Sequence, residues 1–212
     1  NEIILLPLYP QFSTTTTASS LNEFAKNLSK EFIDKIKLKT ICCYPLDEGF
    51  IDSHVKLIED KLSDKVDLSN YRMLFSAHGL PEKIVKSGDP YQWQIEQTVL
   101  KIISKLQLIP KFKNIDYKVT YQSRVGPLKW LDPNTEDEVK IAGKENKSLI
   151  IIPVAFVSEH VETLVELDIE YKQIAVDHKI DYVRVPTLSA NELFIKSLAN
   201  MVLNFSSNDS SC

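Results

Sequence analysis

The stretch Met73-Leu74-Phe75-Ser76-Ala77-His78-Gly79-Leu80-Pro81 joins a short apolar run to an abrupt turn. A short apolar run bounded by turn residues is typical of a strand that is buried on both faces of a parallel sheet. Glycine and proline directly after such a run predict a tight surface loop. We therefore predict a buried strand at 73–77, with His78 directed into a crevice at its carboxyl end.

Similar apolar runs recur along the chain at 3–8, 39–44, 117–121, 149–156 and 182–185. Each run is rich in Ile, Val and aromatic residues, as expected for buried strands. The segments between them, such as 21–32 and 95–106, carry apolar residues at three- and four-residue spacing, which predicts amphipathic helices. This alternation of strand and helix predicts an α/β fold with parallel sheets flanked by helices.

Composition excludes two classes of partner. The 212 residues carry a net charge of -4 and give a pI near 5.6, so the chain lacks the basic surface that nucleic-acid-binding proteins use. No apolar run approaches the roughly 20 residues of a membrane span, and the longest run, 148–157, is interrupted by Pro153. We predict no nucleic-acid partner and no membrane span, while peripheral membrane contact stays open.

The cysteines and the first residues indicate the context of the chain. Cys42, Cys43 and Cys212 follow neither the pattern of a disulfide framework nor that of a metal site, which fits a reducing cytoplasm. The chain begins with Asn1, has no positively charged leader and enters an apolar run at once. We interpret it as a fragment of a longer protein.

Candidate site residues are the polar and aromatic side chains that follow each predicted strand. Ligands of open α/β sheets bind beyond the carboxyl ends of the strands. His78 is the first candidate, because an imidazole can exchange a proton at neutral pH or bind a metal. A packing or capping role is the alternative for a single histidine at a strand end.

An acidic segment, Ser158-Glu159-His160-Val161-Glu162, follows the very apolar run 149–156 and continues to Tyr171. If this segment is helical, Glu159, Glu162, Glu166 and Glu170 lie within one narrow arc. Carboxylates on one helix face repel each other, so such a stripe is either well solvated or neutralised by cations. The segment is therefore a candidate cation site, with a solvated helix face as the alternative.

Aromatic side chains follow two other predicted strands. Trp130 lies on a Gly/Pro-rich loop after the run 117–121, and Tyr9 follows the run 3–8. A tryptophan on such a loop is a candidate stacking surface for a flat ligand, and covering the edge of the core is the alternative. The chain contains no dinucleotide, P-loop or nucleophile-elbow motif. The residues alone thus favour an α/β protein that handles a metal.

At these same positions the sequence resembles the ferrochelatase family. The resemblance covers 3–202 and is carried by four blocks in the same order, namely 8–20, 76–91 with His78-Gly79-Leu80-Pro81, 122–130 with Gln122-Ser123-Arg124-Val125-Gly126-Pro127, and 157–171. It implies two Rossmann-like domains with a porphyrin in the cleft between them, the first domain being incomplete. We expect 1–32 to be the remainder of the first domain, 33–190 the second domain, 191–205 a helix that packs back on the first domain, and 206–212 a disordered tail.

The resemblance also implies an activity. Ferrochelatases are lyases that insert Fe²⁺ into protoporphyrin IX, the last step of haem biosynthesis. The match implies that His78 is the active-site histidine, which takes pyrrole protons or helps to bind the incoming metal, and that Glu162 is its partner carboxylate. Glu159 and Glu166, together with His160 and Glu170, match an acidic path for the metal. Tyr9 and Trp130 match aromatic positions near the macrocycle.

Some family members hold a [2Fe-2S] cluster, which we do not expect here. The segment 14–17 has no cysteine, and Cys212 alone cannot hold a cluster that takes four cysteines. The expected partners are porphyrin and ferrous iron, and the expected location is the cytoplasm, with contact at the inner membrane face left open. The oligomeric state is not predicted. Alternatives are a chelatase for another tetrapyrrole such as coproporphyrin III, a non-catalytic porphyrin- or metal-binding module, and a structural α/β domain.

Overall fold

The structure is a computed structural model that describes residues 2–29, 31 and 35–207. The strands are β1 (Glu2–Leu5), β2 (Lys37–Thr40), β3 (Tyr71–His78), β4 (Asp116–Gln122), β5 (Ser148–Pro153) and β6 (Tyr182–Arg184). The α-helices are α1 (Ser19–Lys26), α2 (Glu48–Lys61), α3 (Glu82–Lys86), α4 (Tyr91–Leu106), α5 (Thr135–Lys144), α6 (Tyr171–Asp177) and α7 (Glu192–Ser207). Two π-helical segments, Thr14–Ala18 and Thr163–Glu170, lead directly into α1 and α6, and a 3-10 turn spans Pro110–Phe112.

The described strands form two parallel sheets. β1 and β2 pair as a two-stranded sheet, while the other strands form a four-stranded sheet in the order β4-β3-β5-β6. Parallel pairing requires a crossover between consecutive strands, and helices supply most of these crossovers. The predicted α/β fold with parallel sheets flanked by helices is therefore confirmed.

The four-stranded sheet is covered on both faces, which explains why its strands are continuous apolar runs. Alternate side chains of β3 point to opposite faces. Met73, Phe75 and Ala77 pack into the larger core with residues of α2, α4 and α7, whereas Leu74 packs into a smaller core with residues of α5 and α6. β3 is thereby fixed at the centre of the sheet, and His78 emerges at its carboxyl end.

The two-stranded sheet extends past the predicted boundary between the domains. Residues 33–190 were expected to form the second domain, yet β2 pairs with β1 across Ile3 and Leu38 and belongs to the first sheet. The boundary after residue 32 lies among residues that are only partly described, because 30 and 32–34 fall outside the described ranges. The pairing places Lys37–Thr40 in the same sheet as β1.

Helix α7 corresponds to the helix predicted at 191–205. Phe194 near its start is buried in the larger core, and its last turn reaches the two-stranded sheet, where Lys39 Nζ donates to the Phe205 carbonyl oxygen at 3.2 Å. Helical structure continues to Ser207, two residues into the tail that was predicted to be disordered at 206–212. Residues 208–212 lie outside the described ranges.

Two further expectations concern membranes and cysteines. No helix within the described ranges is both long enough and apolar enough to span a membrane. Cys43 carries a free thiol.

Candidate active site

A cavity of about 540 Å³ opens beyond the carboxyl ends of β1, β3 and β5. Its volume lies within the range of roughly 300–1,000 Å³ that is typical of small-molecule sites. Four segments of the chain line it, and all four were singled out by the sequence. The lining residues are Leu8, Tyr9, Gln11, Ser13, Thr15, Thr16, His78, Gly79, Leu80, Pro81, Ile84, Tyr91, Trp130, Ala155, Phe156, Val157, Ser158, His160 and Glu162.

His78 and Glu162 face each other in this cavity. Nδ1 of His78 lies 3.2 Å from Oε2 of Glu162, and both side chains are partly exposed, at 38% and 41%. Tyr91 stabilises the carboxyl end of β3, because its hydroxyl donates a hydrogen bond to the carbonyl oxygen of His78 at 3.1 Å. A carboxylate beside Nδ1 favours the tautomer that carries the proton there. In that tautomer Nε2 is left as a proton acceptor or metal donor.

His160 orients the backbone that carries Glu162. Its Nδ1 accepts a hydrogen bond from the backbone N–H of Glu162 at 3.2 Å, and its ring leans against Phe156 with centroids 4.9 Å apart. Thr163 closes the turn, because its Oγ1 accepts from the N–H of His160 and donates to the carbonyl oxygen of His160, each at 3.0 Å. The family resemblance implied a place for His160 on the acidic path, and its contacts also give it a local structural role.

The acidic stripe predicted for one helix face is not formed as expected. Glu159 precedes the helix, and Thr163–Glu170 is π-helical before α6 begins. π-Helical hydrogen bonds join residues five apart, so the turns are wider than the α-helical turns that were assumed. Glu159 therefore lies outside the helical face that the four glutamates were expected to share.

Glu159 forms hydrogen bonds with β6 and with the residues that follow β6, outside the cavity lining. Its carboxylate accepts from Arg184 Nη2 at 2.5 Å and from the backbone N–H of Thr187 at 2.8 Å. Burial acts to raise the pKa of the Glu159 carboxyl, but these hydrogen bonds and the positive charge of Arg184 outweigh it and lower that pKa. Glu159 does not line the cavity.

Glu166 is likewise occupied by protein donors. Its Oε2 accepts from Gln122 Nε2 at 3.2 Å, from Ser123 N–H at 3.1 Å and from the Tyr171 hydroxyl at 2.9 Å, and its Oε1 accepts from Ser123 Oγ at 2.7 Å. The contacts join the π-helical segment to the end of β4. Glu166, like Glu159, is absent from the lining of the cavity.

Metal ligation by the four predicted residues is thus only partly supported by their positions. His78 and Glu162 form a pair of donors, but no group of three or more His, Cys, Asp or Glu side chains within the described ranges is arranged to hold a metal ion. The pair can offer an incoming ion one nitrogen and one carboxylate. A fully enclosed resident metal site is not formed there by the described residues.

Trp130 and Gly79 build the aromatic wall. Trp130 forms an isolated antiparallel bridge with Pro81, and its indole N–H donates to the carbonyl oxygen of Val125 at 3.0 Å. A Cβ added at Gly79 would lie 2.9 Å from the carbonyl oxygen of Gln122 and 3.3 Å from Trp130. Glycine is therefore needed at this turn, because any side chain would push the indole away. Tyr9, also predicted, lines the cavity and is 42% exposed.

Asp89 is a structural residue to which the sequence assigned no role. Its carboxylate accepts hydrogen bonds from Ser13 Oγ at 3.0 Å, from Thr14 N–H and Oγ1 at 2.7 Å each, and from Tyr91 N–H at 3.0 Å. These bonds fix the loop after β1 against the start of α4, so that both reach the cavity. Gly88-Asp89-Pro90-Tyr91 belonged to the resembling blocks, and an Asp before Pro at a turn was the available signal.

Replacing Asp89 with asparagine is expected to destabilise the fold in a pH-dependent manner. Burial opposes ionisation of Asp89, but the hydrogen bonds from Thr14, Tyr91 and Ser13 prevail and lower the pKa of its carboxyl. A lowered pKa in the folded state gives stability that is present above the unfolded-state pKa of about 4 and is lost as the pH falls through the folded-state pKa. At pH 7 we expect Asp89→Asn to lose about 1.5–3 kcal/mol of unfolding free energy.

Urea unfolding of both proteins between pH 7 and pH 3 measures this difference. The gap between wild type and Asp89→Asn should be constant down to about pH 5 and should narrow below about pH 4. A gap that does not change with pH would show that the hydrogen-bond geometry matters and the charge of Asp89 does not.

Comparison with known proteins identifies the family of the chain. Residues 1–205 match the family model described as Ferrochelatase. The chain is 60% identical to proteins named ferrochelatase from Rickettsia prowazekii and Rickettsia felis, covering 98% and 97% of this chain and 57% of each relative. It is 51% identical to the ferrochelatase of Pelagibacter ubique, covering 95% of this chain and again 57% of the relative. The chain thus spans a little over half the length of these curated relatives.

One solved structure is similar to this chain in fold only. A multi-domain protein from Deinococcus radiodurans, described as structurally similar to chelatases, superposes with a TM-score of 0.57 at 10% sequence identity. The match covers 99% of this chain and 42% of that protein. At this identity the likeness extends to the arrangement of strands and helices and to nothing finer.

Proposed function

Because the chain belongs to the ferrochelatase family, we propose that it carries the catalytic pair of an enzyme that inserts Fe²⁺ into protoporphyrin IX. The reaction yields haem and two protons and is the last step of haem biosynthesis. The observation that carries the proposal is the 3.2 Å contact between His78 Nδ1 and Glu162 Oε2 in a cavity whose walls are mainly apolar and aromatic. A flat apolar substrate that must lose protons suits such a cavity.

The proton chemistry of the proposal belongs to His78. The two pyrrole N–H protons must leave as Fe²⁺ binds to the porphyrin nitrogens. With Nδ1–H donating to Glu162, Nε2 of His78 accepts the first proton, and the carboxylate of Glu162 stabilises the resulting imidazolium. Both side chains are partly exposed, so the proton can pass to water before the second pyrrole proton is taken. One base can therefore serve both deprotonations in turn.

The same two side chains are the proposed donors to the incoming iron before the pyrrole protons leave, because Nε2 of His78 must release the ion before it can accept a proton. Imidazole nitrogen and carboxylate oxygen are suitable ligands for a divalent iron ion. Two protein donors hold an ion less firmly than a complete set of ligands, and a substrate ion must leave the protein for the porphyrin. The proposed iron ligands are therefore His78 and Glu162, while a ligand role for Glu159 and Glu166 is the competing assignment, which is tested below.

Trp130 and Tyr9 are proposed to bind the macrocycle. Aromatic rings offer flat faces and large apolar areas to a planar ligand. Trp130 is held by its hydrogen bond to Val125 and by its packing against Gly79, so the face that it offers is fixed in advance. A pre-organised wall costs less conformational entropy when the porphyrin binds.

Iron insertion by the protein expressed from its complete gene tests the proposal. Under anaerobic conditions with Fe²⁺, we expect loss of protoporphyrin IX absorbance and formation of one haem for each porphyrin consumed. Coproporphyrin III should be assayed in parallel. Turnover of coproporphyrin III alone would move the substrate assignment to that porphyrin, and binding without turnover of either porphyrin would exclude catalysis.

The non-catalytic alternative has one observation in its favour. The chain spans 57% of the length of the ferrochelatase relatives, so the described part alone could bind porphyrin or metal without turnover. Tight porphyrin binding by this chain, without haem formation when Fe²⁺ is added, would support that alternative. A cytoplasmic location, contact with the inner membrane face and the lack of a [2Fe-2S] cluster remain predictions.

A further inference from the structure

Glu162 lies on a segment that crosses the carboxyl end of the four-stranded sheet. We call residues 158–170 the Glu162 segment; it includes the π-helical residues Thr163–Glu170. In the strand order β4-β3-β5-β6, Glu162 contacts His78 at the end of the inner strand β3. The side chains that tie the segment to the sheet lie on either side of Glu162, three residues before it and four residues after it.

On one side the segment is tied to the edge strand β6. Arg184 of β6 is only 11% exposed, and its Nη2 donates to Glu159 Oε2 at 2.5 Å. Its Nε lies 3.5 Å from Asp168 Oδ1, so one guanidinium engages carboxylates at both ends of the stretch that contains Glu162. A buried guanidinium is stable only when it is paired, and pairing with carboxylates fixes their geometry.

On the other side the segment is tied to the edge strand β4. Glu166 accepts four hydrogen bonds from Gln122, Ser123 and Tyr171. A carboxylate has about four acceptor positions, so these donors use its capacity. Because neither Glu166 nor Glu159 lines the cavity, the lone pairs that a metal would need are directed at the protein.

We infer that Glu159 and Glu166 are positioning residues that tether the Glu162 segment to β6 and β4, and not ligands of the iron. The inference rests on the proposed iron insertion and assigns to both residues a role different from the acidic path implied by the family resemblance. Glu162 itself has no side-chain contact to either edge strand among the hydrogen bonds of the described residues. Its distance from His78 therefore depends on the two tethers.

Arg184 gives the sharpest test, because a guanidinium cannot bind iron and because its replacement removes no carboxylate from the protein. In the protein from the complete gene, we expect Arg184→Met to lower kcat about 10- to 100-fold, as is typical when a supporting contact is lost and a reacting group shifts. The KM for Fe²⁺ should not fall, because the displaced Glu162 is itself a proposed iron ligand. Arg184→Lys should recover part of kcat.

An iron ligand at Glu159 predicts a different result. Arg184→Met would then free that carboxylate for the metal and lower the KM for Fe²⁺. Glu159→Gln would raise the KM for Fe²⁺ and leave kcat nearly unchanged, whereas the tether predicts a fall in kcat for this variant too. A lower KM for Fe²⁺ in Arg184→Met, or a raised KM with an unchanged kcat in Glu159→Gln, would overturn the inference. Glu159→Gln keeps the size of the side chain, so it decides the question even where Arg184→Met fails to fold.

Arg72 supplies the matched control. Its side chain is 9% exposed, and it pairs with Asp116 at 2.8 Å and Glu145 at 3.0 Å at the opposite end of the same sheet. Arg72→Met should lower Tm but should leave kcat within about twofold of wild type. An equal loss of kcat in both variants would show a general effect of destabilisation and would overturn the tether.

Hydrogen–deuterium exchange separates failure of the inference from failure of the proposed function. Loss of a tether should accelerate exchange across residues 158–170 in Arg184→Met and Glu159→Gln, and not in Arg72→Met. This measurement needs no turnover. If the wild-type protein does not insert iron, the proposed function is wrong. The exchange measurement would still show whether the tethers hold the Glu162 segment. Unchanged exchange in both tether variants would overturn the inference.

Discussion

Replacing His78 with alanine is expected to lower the rate of iron insertion about 10²- to 10⁴-fold, which is the usual contribution of a positioned general base. The variant removes both the proton acceptor Nε2 and the nitrogen offered to Fe²⁺. The apolar walls remain, so protoporphyrin IX should bind with nearly unchanged affinity. Initial rates under anaerobic conditions, with porphyrin binding followed by fluorescence, measure the two effects separately.

Glu162→Gln tests the other half of the pair. Glutamine keeps an oxygen that can accept from His78 Nδ1–H but removes the negative charge that stabilises the imidazolium. We expect a loss of about 10²-fold or more, again with porphyrin still bound. Because the two side chains are in contact, the double variant should lose less than the product of the single losses.

Glu136→Gln is a matched control for this prediction. Glu136 pairs with Lys140 on the exposed surface of α5, where ion pairs contribute little. Its turnover should equal that of wild type. Near-normal turnover in both His78→Ala and Glu162→Gln would mean that the chemistry lies elsewhere, and the roles assigned to this pair would have to be withdrawn.

The sequence predicted the sheet well because its strands are buried on both faces. The run 73–77 became the centre of β3, which is flanked by helices on both sides. It predicted the run 39–44 less well, since β2 ends at Thr40 and Ile41 and Tyr44 are buried in the loop that follows. An apolar run signals burial, and burial alone does not distinguish a strand from a buried loop.

The sequence analysis identified all the segments that line the cavity, but it did not identify the hydrogen-bond partners of Glu159 and Glu166. His78, Glu162, Tyr9 and Trp130 all line the cavity, and their chemical roles stay predictions. Glu159 and Glu166 were grouped with Glu162 on the assumption of one continuous helix, but Glu159 precedes the helical residues, which begin at Val161. Their partners on β4 and β6 are distant in sequence, so local periodicity could not reveal them.

Replacing Trp130 with leucine is expected to weaken porphyrin binding about 10- to 100-fold. Burial of a large side chain against a ligand and the stacking of its ring together contribute roughly 1.5–3 kcal/mol, and each 1.4 kcal/mol is about tenfold in Kd. Leucine keeps some apolar bulk and loses the flat face. The Kd for protoporphyrin IX, measured by fluorescence titration, should rise accordingly.

Trp93→Leu is the control, because Trp93 is the other tryptophan of the chain, lies on α4 and is 58% exposed away from the cavity lining. It should bind porphyrin as wild type does. At saturating porphyrin, Trp130→Leu should retain most of kcat, since the wall binds the substrate and does not move protons. A fall in kcat without a change in Kd would mean that Trp130 acts on the reacting complex, for example by holding the macrocycle at the right height above His78. If Trp130→Leu has the Kd and the kcat of wild type, Trp130 does not contact the porphyrin, and its role is to pack over the turn at Gly79.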